Sequence, residues 1–291
     1  MVGQLTLFRD VFHNLGNLLS VGLIVFHFHK HIRLMRVMYH PRTRCLIRRY
    51  PKIAFKYLIN YAALNLATRH RLALVTSHYS LVQQCFNDEF SVDLHEGKLR
   101  MWESDQGGDG NLTLHLNFPS KFHTEGDLCI TMCLAGREIY RVVFVLSSGL
   151  NFGLGQPNVI FVTCVQGLAK PVTLRSAAAQ CDDVHPADVL MSASAGVAAS
   201  LNITTVVGIR SDQQICNSGR TYFSYDSFFE QYGVLNPVTN AYVMTVPIEH
   251  KELTLIAPKH RARTRRKRVF RDGVSDSVQQ ALAPYLTSPR H

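Results

Sequence analysis

The chain has 291 residues, 46% apolar and 18% charged, a balance that describes a folded protein and excludes a disordered or collagen-like one. At this length a core can bury about three quarters of the extended chain's surface, so neither disulfides nor a metal is needed as a staple. The formal charge of +10 favours anionic partners, and its distribution excludes a uniform cationic shell. No Asp or Glu lies between Asp10 and Asp88, against eleven Lys or Arg; residues 88–257 carry eighteen acids and ten bases, and the tail from Pro258 carries nine bases and two acids.

In chain order, the apolar stretch Leu18–His29 is shorter than the roughly 20 residues a membrane span needs. It reads as a buried or amphipathic helix, or as an interfacial helix beside the cations that begin at Lys30. Helical spacing continues to residue 38. Pro41 and Pro51 then punctuate the chain, Lys52–Ala67 reads as a helix, and Thr68–Gln84 reads as another that Thr68 can cap. From Asn87 the texture changes to short period-two runs broken by glycine-rich turns. Strands are expected near 111–118, 127–134 and 138–147 as an antiparallel meander, and a further strand near 159–166. A small-residue helix, Pro186–Leu201, follows, with Asp182, Asp183 or His185 available as its cap. A strand near 203–209, a short helix Tyr225–Tyr232 and a strand near 241–248 complete the series.

This order gives an α+β or α/β fold: amino-terminal helices, then a mixed, mainly antiparallel sheet with helices. The expected organisation is threefold: a basic helical region over residues 1–87, a mixed-sheet core over residues 88–256 and a strongly basic segment over residues 257–291. Seven cysteines without a regular framework point to a reducing compartment. The expected location is cytoplasmic, either free or peripheral to an inner membrane. Cys129 and Cys133 have neither redox nor zinc-ribbon spacing.

Four groups of residues can carry chemistry. His123, Glu125 and Asp127 alternate, so a strand would present them on one face, where they read as a solvated edge, a binding or catalytic group, or a metal site. No metal is assigned. Gln166 and Gly167 end a strand, with Lys170 and Arg175 just beyond to hold an anionic group; ligands often bind past the carboxyl ends of strands. Tyr225 and Asp226 open the short helix. Finally, eight Lys or Arg occupy residues 259–271, with Arg265, Arg266, Lys267 and Arg268 at the centre. The nearest acids in sequence, Glu249, Glu252 and Asp272, are too few to neutralise them. A solvent-facing helix or arm that binds phosphate or an anionic surface is the expectation. Neither a base-reading motif nor a nucleophile elbow is present, so sequence-specific nucleic-acid binding and Ser–His–Asp catalysis are not expected.

The segments LATRHRLALVTSHYSLV, WESDQGGDGNLTLHLNFPSKFHTEGDLCITM, VIFVTCVQGL, YDSFFEQYG and PKHRARTRRKRV, spread in order over most of residues 40–275, resemble the VirK/YbjX family of Gram-negative bacteria. That resemblance implies a domain of unknown function associated with virulence, envelope remodelling and tolerance of cationic antimicrobial peptides; it implies no agreed activity and no known cofactor. Two family features differ here. Phe229 and Gln231 stand where a Trp and a Glu are usual, and His185 replaces the arginine before Pro186.

From residue 100 the element order also resembles a Gcn5-related acyltransferase, although the glycine-rich loop that cradles coenzyme A in those enzymes is missing. Two function classes follow. One is an acyl or aminoacyl transferase acting on an envelope or peptide substrate, its site lined by Gln166, Gly167, Tyr225 and Asp226, with His123 or Glu125 at the rim. The other is a non-catalytic factor whose basic ends contact a membrane surface or a partner.

Overall fold

The computed structural model describes residues 22, 24–104, 110–119, 124–215, 223–250 and 252–287. The helical region contributes α1 (Phe28–Met38), α2 (Arg44–Arg49), a 3-10 turn (Pro51–Leu58), α3 (Thr68–Cys85) and α4 (Asp88–Glu96). Then follow β1 (Leu99–Glu103), β2 (Leu112–Asn117), β3 (Leu128–Leu134), β4 (Arg137–Ser148) and β5 (Asn158–Gly167). After α5 (Pro171–Ala179) and α6 (Pro186–Ser200) come β6 (Thr205–Gly208), α7 (Tyr225–Phe229), β7 (Val234–Asn236), β8 (Ala241–Thr245) and α8 (Pro258–Leu282).

The strands form one sheet in the order β1-β2-β3-β4-β5-β6-β8-β7. Strands β1 to β5 are an antiparallel meander, β5 and β6 run parallel, and β6, β8 and β7 return antiparallel. The fold is α+β with a mixed sheet. A parallel pair needs a crossover, and α6 supplies it.

The pleat divides the meander into two unlike faces. Leu112, Leu114, Leu116, Ile130, Met132, Tyr140 and Val142 are buried on one face, in a core that runs from Leu34 in α1 to Leu282 in α8. The other face carries Thr113, His115, Asn117, Thr131, Cys133, Arg141 and Gln166. This polar alternation made the strands readable.

Three local readings are corrected. Residues 52–67 do not form an α-helix: the 3-10 turn ends at Leu58, and Ala62 and Asn65 adopt positive φ of 62° and 60°. The backbone there bonds across to loops instead, Ala62 N–H to Thr124 O at 2.8 Å and Leu64 N–H to Gln213 O at 2.7 Å. Thr68 is the first residue of α3 rather than its cap, and its hydroxyl accepts from Arg71 at 3.0 Å. Among the three cap candidates of α6, His185 is the one, its Nδ1 accepting Ala187 N–H at 3.2 Å.

The basic tail is helical, but it does not simply face solvent. Val274, Val278 and Leu282 bury the second half of α8, and Gly196 of α6 lets the helices approach closely, since a Cβ there would meet Ser275 O at 2.5 Å. In the first half, Arg266 reaches Asp182 at 3.3 Å and Arg263 reaches Asp183 at 3.2 Å, while Lys267 donates to the Asp183 carbonyl at 2.5 Å. The compensating acids therefore come from a turn some eighty residues away in sequence. Both aspartates adopt positive φ, 52° and 59°, a conformation Asp tolerates better than most residues.

Candidate functional site

The register across the meander aligns a row of polar side chains. Arg100 of β1 pairs with His115 of β2, His115 with Thr131 of β3, Thr131 with Arg141 of β4, and Arg141 with Gln166 of β5. Directly opposed residues lie about 5 Å apart, so the row crosses five strands on one face. Arg141 is 4% exposed and donates through Nη2 to Gln166 Oε1. His115 and Gln166 are half-buried and mark where the row meets solvent. Burial, and then the Arg100 charge, lower the His115 pKa, which keeps the imidazole neutral at pH 7.

Beside this row lies a second one, Asn117, Cys129, Val143 and Cys164. Burial raises both thiols, Cys164 well above its ordinary value, so neither is a thiolate nucleophile. Cys129 and Cys133 share a face of β3 but sit four residues apart, roughly 13 Å along a strand, too far for a disulfide. The charges of Glu125 and Arg141 both bear on Cys129 and Cys164.

Glu125 is 1% exposed. Its Oε1 accepts from Gln214 Nε2 at 3.1 Å, while its Oε2 and the Gln214 Oε1 are buried and have no hydrogen-bond partner among the described residues. A buried carboxylate oxygen left unpaired is costly and points to a group that completes the site.

Tyr225 stands where β5 loses its neighbour. The β5–β6 pairing spans only Ile160↔Val206, Phe161↔Val207 and Val162↔Gly208, after which β5 continues to Gly167 while the other chain departs at Arg210. The Tyr225 hydroxyl fills the gap, accepting Val165 N–H and donating to Val165 C=O, each at 3.2 Å. Burial, with the nearby Cys164, drives its pKa up. Tyr225 thus closes the strand edge, a role its sequence context does not announce.

The remaining expectations fall in different places. Asp226 lies 3.7 Å from Arg210 Nε, and its N–H donates to Ser211 Oγ. Gly167 packs closely, and a Cβ there would sit 3.1 Å from Tyr140 Cε2. Lys170, just before α5, and Arg175 on α5 are exposed, as is Arg265 on α8. Arg268 is half-buried. His123 lies outside the described residues. Among those residues no three His, Cys, Asp or Glu side chains are grouped to hold a metal.

Glu125 and Asp127 have different partners. Asp127 turns into the core, where Lys56 and Tyr61 contact it and Tyr79 donates to Oδ1 at 2.7 Å. Burial acts to raise the Asp127 pKa, but Lys56, His78 and the donors outweigh it, and the carboxyl titrates below its usual range. Burial lowers Lys56, against the pull of Asp127, and raises Tyr61 and Tyr79. Enclosed on all sides, this knot fastens the 3-10 turn and α3 to the sheet.

Sequence reasoning missed Arg141, Thr131 and Gln214. For Arg141 a signal existed: one arginine inside the apolar run IYRVVFVL is uncommon unless its charge is used or paired. Gln214 had none.

The family model described as "Protein of unknown function (DUF535)" matches residues 22–280. The chain is 23% identical over 250 residues to the uncharacterized protein YbjX of Escherichia coli strain K12, covering 82% of this chain and 74% of that protein. No solved structure matches it significantly. Among the described residues, no helix is long and apolar enough to cross a membrane.

Proposed function

Because the chain belongs to the DUF535 family, whose description assigns no activity, we propose a function from the site itself: an acyl or aminoacyl transferase working on the polar face at the carboxyl end of β5. The observation that carries the reading is the buried Glu125, half-partnered among the described residues, whose charge bears on the same two thiols as that of Arg141, the partner of Gln166. The carboxyl ends of parting parallel strands are where α/β sheets commonly bind ligands.

In this reading Arg141 holds the carbonyl oxygen of the donor as charge develops on it, and Gln166 fixes the guanidinium. A neutral amine or hydroxyl of the acceptor attacks the carbonyl carbon, forming the new bond as the bond to the donor's leaving group breaks. Glu125 takes the proton from the acceptor and returns it to the leaving group, so no oxidant or metal enters the step.

The amino terminus of α6 is a poor cradle for a coenzyme pyrophosphate. His185 already caps it, Asp182 and Asp183 precede it, and Asp188 in its first turn accepts from Tyr232. A donor carried on a protein or an RNA, held along β5, suits the face better than free coenzyme A.

Native mass spectrometry of the full chain tests the reading. The wild type is expected to carry a thioester or ester donor that Arg141→Gln and Gln166→Ala both lose while remaining folded by circular dichroism. Absence of any such adduct from the wild type after incubation with thioester and aminoacyl-ester donors counts against it.

A further inference from the structure

At the other end of β5 lies a cationic groove that the transferase reading does not use. A cavity of about 380 Å³ opens between α1 and α3, with Lys30 and Arg33 on one wall, Arg69, Ser77 and Ser80 on the other, and Asn158 on the floor. Among the described residues no Asp or Glu lines it. This absence follows from the sequence, since both walls come from the stretch without an acidic residue. Asn158 and Gln166 are eight residues apart on β5, roughly 26 Å at strand rise, so the groove is remote from the polar row.

Several cations on this molecule are matched by acids. Arg42 meets Asp88, Arg210 meets Asp226, Arg263 meets Asp183 and Arg266 meets Asp182. The side chains of Lys30, Arg33 and Arg69 have neither an ion pair nor a hydrogen bond among the described residues. Lys30 and Arg33 are one turn apart and so share a side of α1. Within the two turns before Arg33, Val25, Phe26 and Phe28 are 67%, 82% and 53% exposed. Exposed aromatic side chains beside unpaired cations are what an anionic bilayer surface attracts: the rings enter the headgroup boundary and the cations hold phosphates.

We propose that this groove binds the phosphate of an anionic phospholipid headgroup, docking the α1 end of the protein on a membrane surface. Lys30, Arg33 and Arg69 supply the charge, and the Ser77 and Ser80 hydroxyls are placed to bond phosphate oxygens. This site is independent of the transferase reading and stands or falls without it.

The test is co-sedimentation of the full chain with vesicles of phosphatidylcholine alone or with phosphatidylglycerol added. Wild type is expected to bind only the anionic vesicles. Since each basic residue near such a surface contributes about 1 kcal/mol, the variant Lys30→Gln/Arg33→Gln/Arg69→Gln is expected to lose on the order of a hundredfold in affinity. Phe26→Ser is expected to weaken binding at unchanged charge. All these residues are exposed, so an unchanged thermal transition verifies folding. Equal binding by wild type and the triple variant overturns the proposal, as does loss of binding with Arg265→Gln/Arg268→Gln instead. Inorganic phosphate binding to the groove with no vesicle binding also overturns the lipid assignment.

Discussion

The Lys56 ammonium and the Asp127 carboxylate meet in the interior with neither side chain exposed, 71 residues apart in sequence. Lys56 also lies 4.4 Å from the centre of the Tyr61 ring, while Tyr61 and Tyr79 donate to the carboxylate. Removing one member of a buried pair strands the other charge. Lys56→Met is therefore expected to cost about 3–5 kcal/mol in denaturant unfolding. Adding Asp127→Asn, which keeps an acceptor for the tyrosines, should recover some of that loss, so the double variant is less destabilised than the sum of the singles. Additive losses would show that the two groups do not act as a pair.

His78 makes stability depend on pH in a defined window. Its Nδ1 accepts Leu146 N–H at 3.1 Å, beyond the last pairing of β3 with β4 at Leu128↔Phe144, and burial lowers its pKa from 6.5 to about 4. Between those values the unfolded chain binds a proton that the folded chain refuses. Stability contributed by neutral His78 is thus present above pH 6.5 and is lost as pH falls toward 4, by roughly 3 kcal/mol. His78→Asn retains an acceptor without the titration and should flatten the unfolding midpoint between pH 6.5 and 4.5. A profile as steep as the wild type's would assign the dependence to other groups.

Gly196 sets the distance between α6 and α8. Gly196→Ala places a methyl group 2.5 Å from Ser275 O and 2.9 Å from Val278 Cβ, so α8 must move. Overpacking of this kind costs about 2 kcal/mol, enough to lower the melting temperature measurably. A melting temperature equal to or above the wild type's would mean that the helices are not in register there.

The Asp182–Asp183 turn masks some of the basic tail. Both aspartates and Arg263 and Arg266 are partly exposed, so each pair contributes little to stability, at most about 1 kcal/mol. Asp182→Asn/Asp183→Asn keeps side chains that tolerate positive φ while releasing the cations. Elution from a heparin column is expected to shift to higher salt, with the thermal transition nearly unchanged. No shift would mean that α8 does not meet polyanions through these residues.

What the sequence made legible and what it hid have physical causes. Strand β2 stood out because its two faces differ in polarity, so the alternation in LTLHLNF carries the pleat directly, whereas β4 and β5, buried on both faces, stood out as apolar runs between turns. Cys129, Thr131 and Cys133 show that same alternation from the polar side. Residues 52–67 misled because a helix-like spacing there serves to bury Lys56 and Tyr61 around Asp127, a partner no local pattern contains. The candidate site was half legible. Gln166 and Glu125 belong to strand-end and turn contexts that attract attention, whereas Arg141 gains its meaning only from cross-strand register. Tyr225 was noticed for its helix-opening position, yet its hydroxyl serves the edge that β6 leaves uncovered. The tail's charge was evident and its counter-charge was not, because Asp182 and Asp183 reach it only through the packing of α8 on α6.

The measurement closest to the central claim is consumption of acyl and aminoacyl donors by the full chain, comparing wild type with Glu125→Gln. The Gln214 amide can still bond the substituted side chain, so the variant should fold, but it cannot accept a proton. The wild type is expected to release the donor's leaving group in the presence of an amine or hydroxyl acceptor, and the variant to do so about 10²–10⁴-fold more slowly. Equal rates for the two proteins, or no turnover of any thioester or aminoacyl ester by the wild type, would contradict the account.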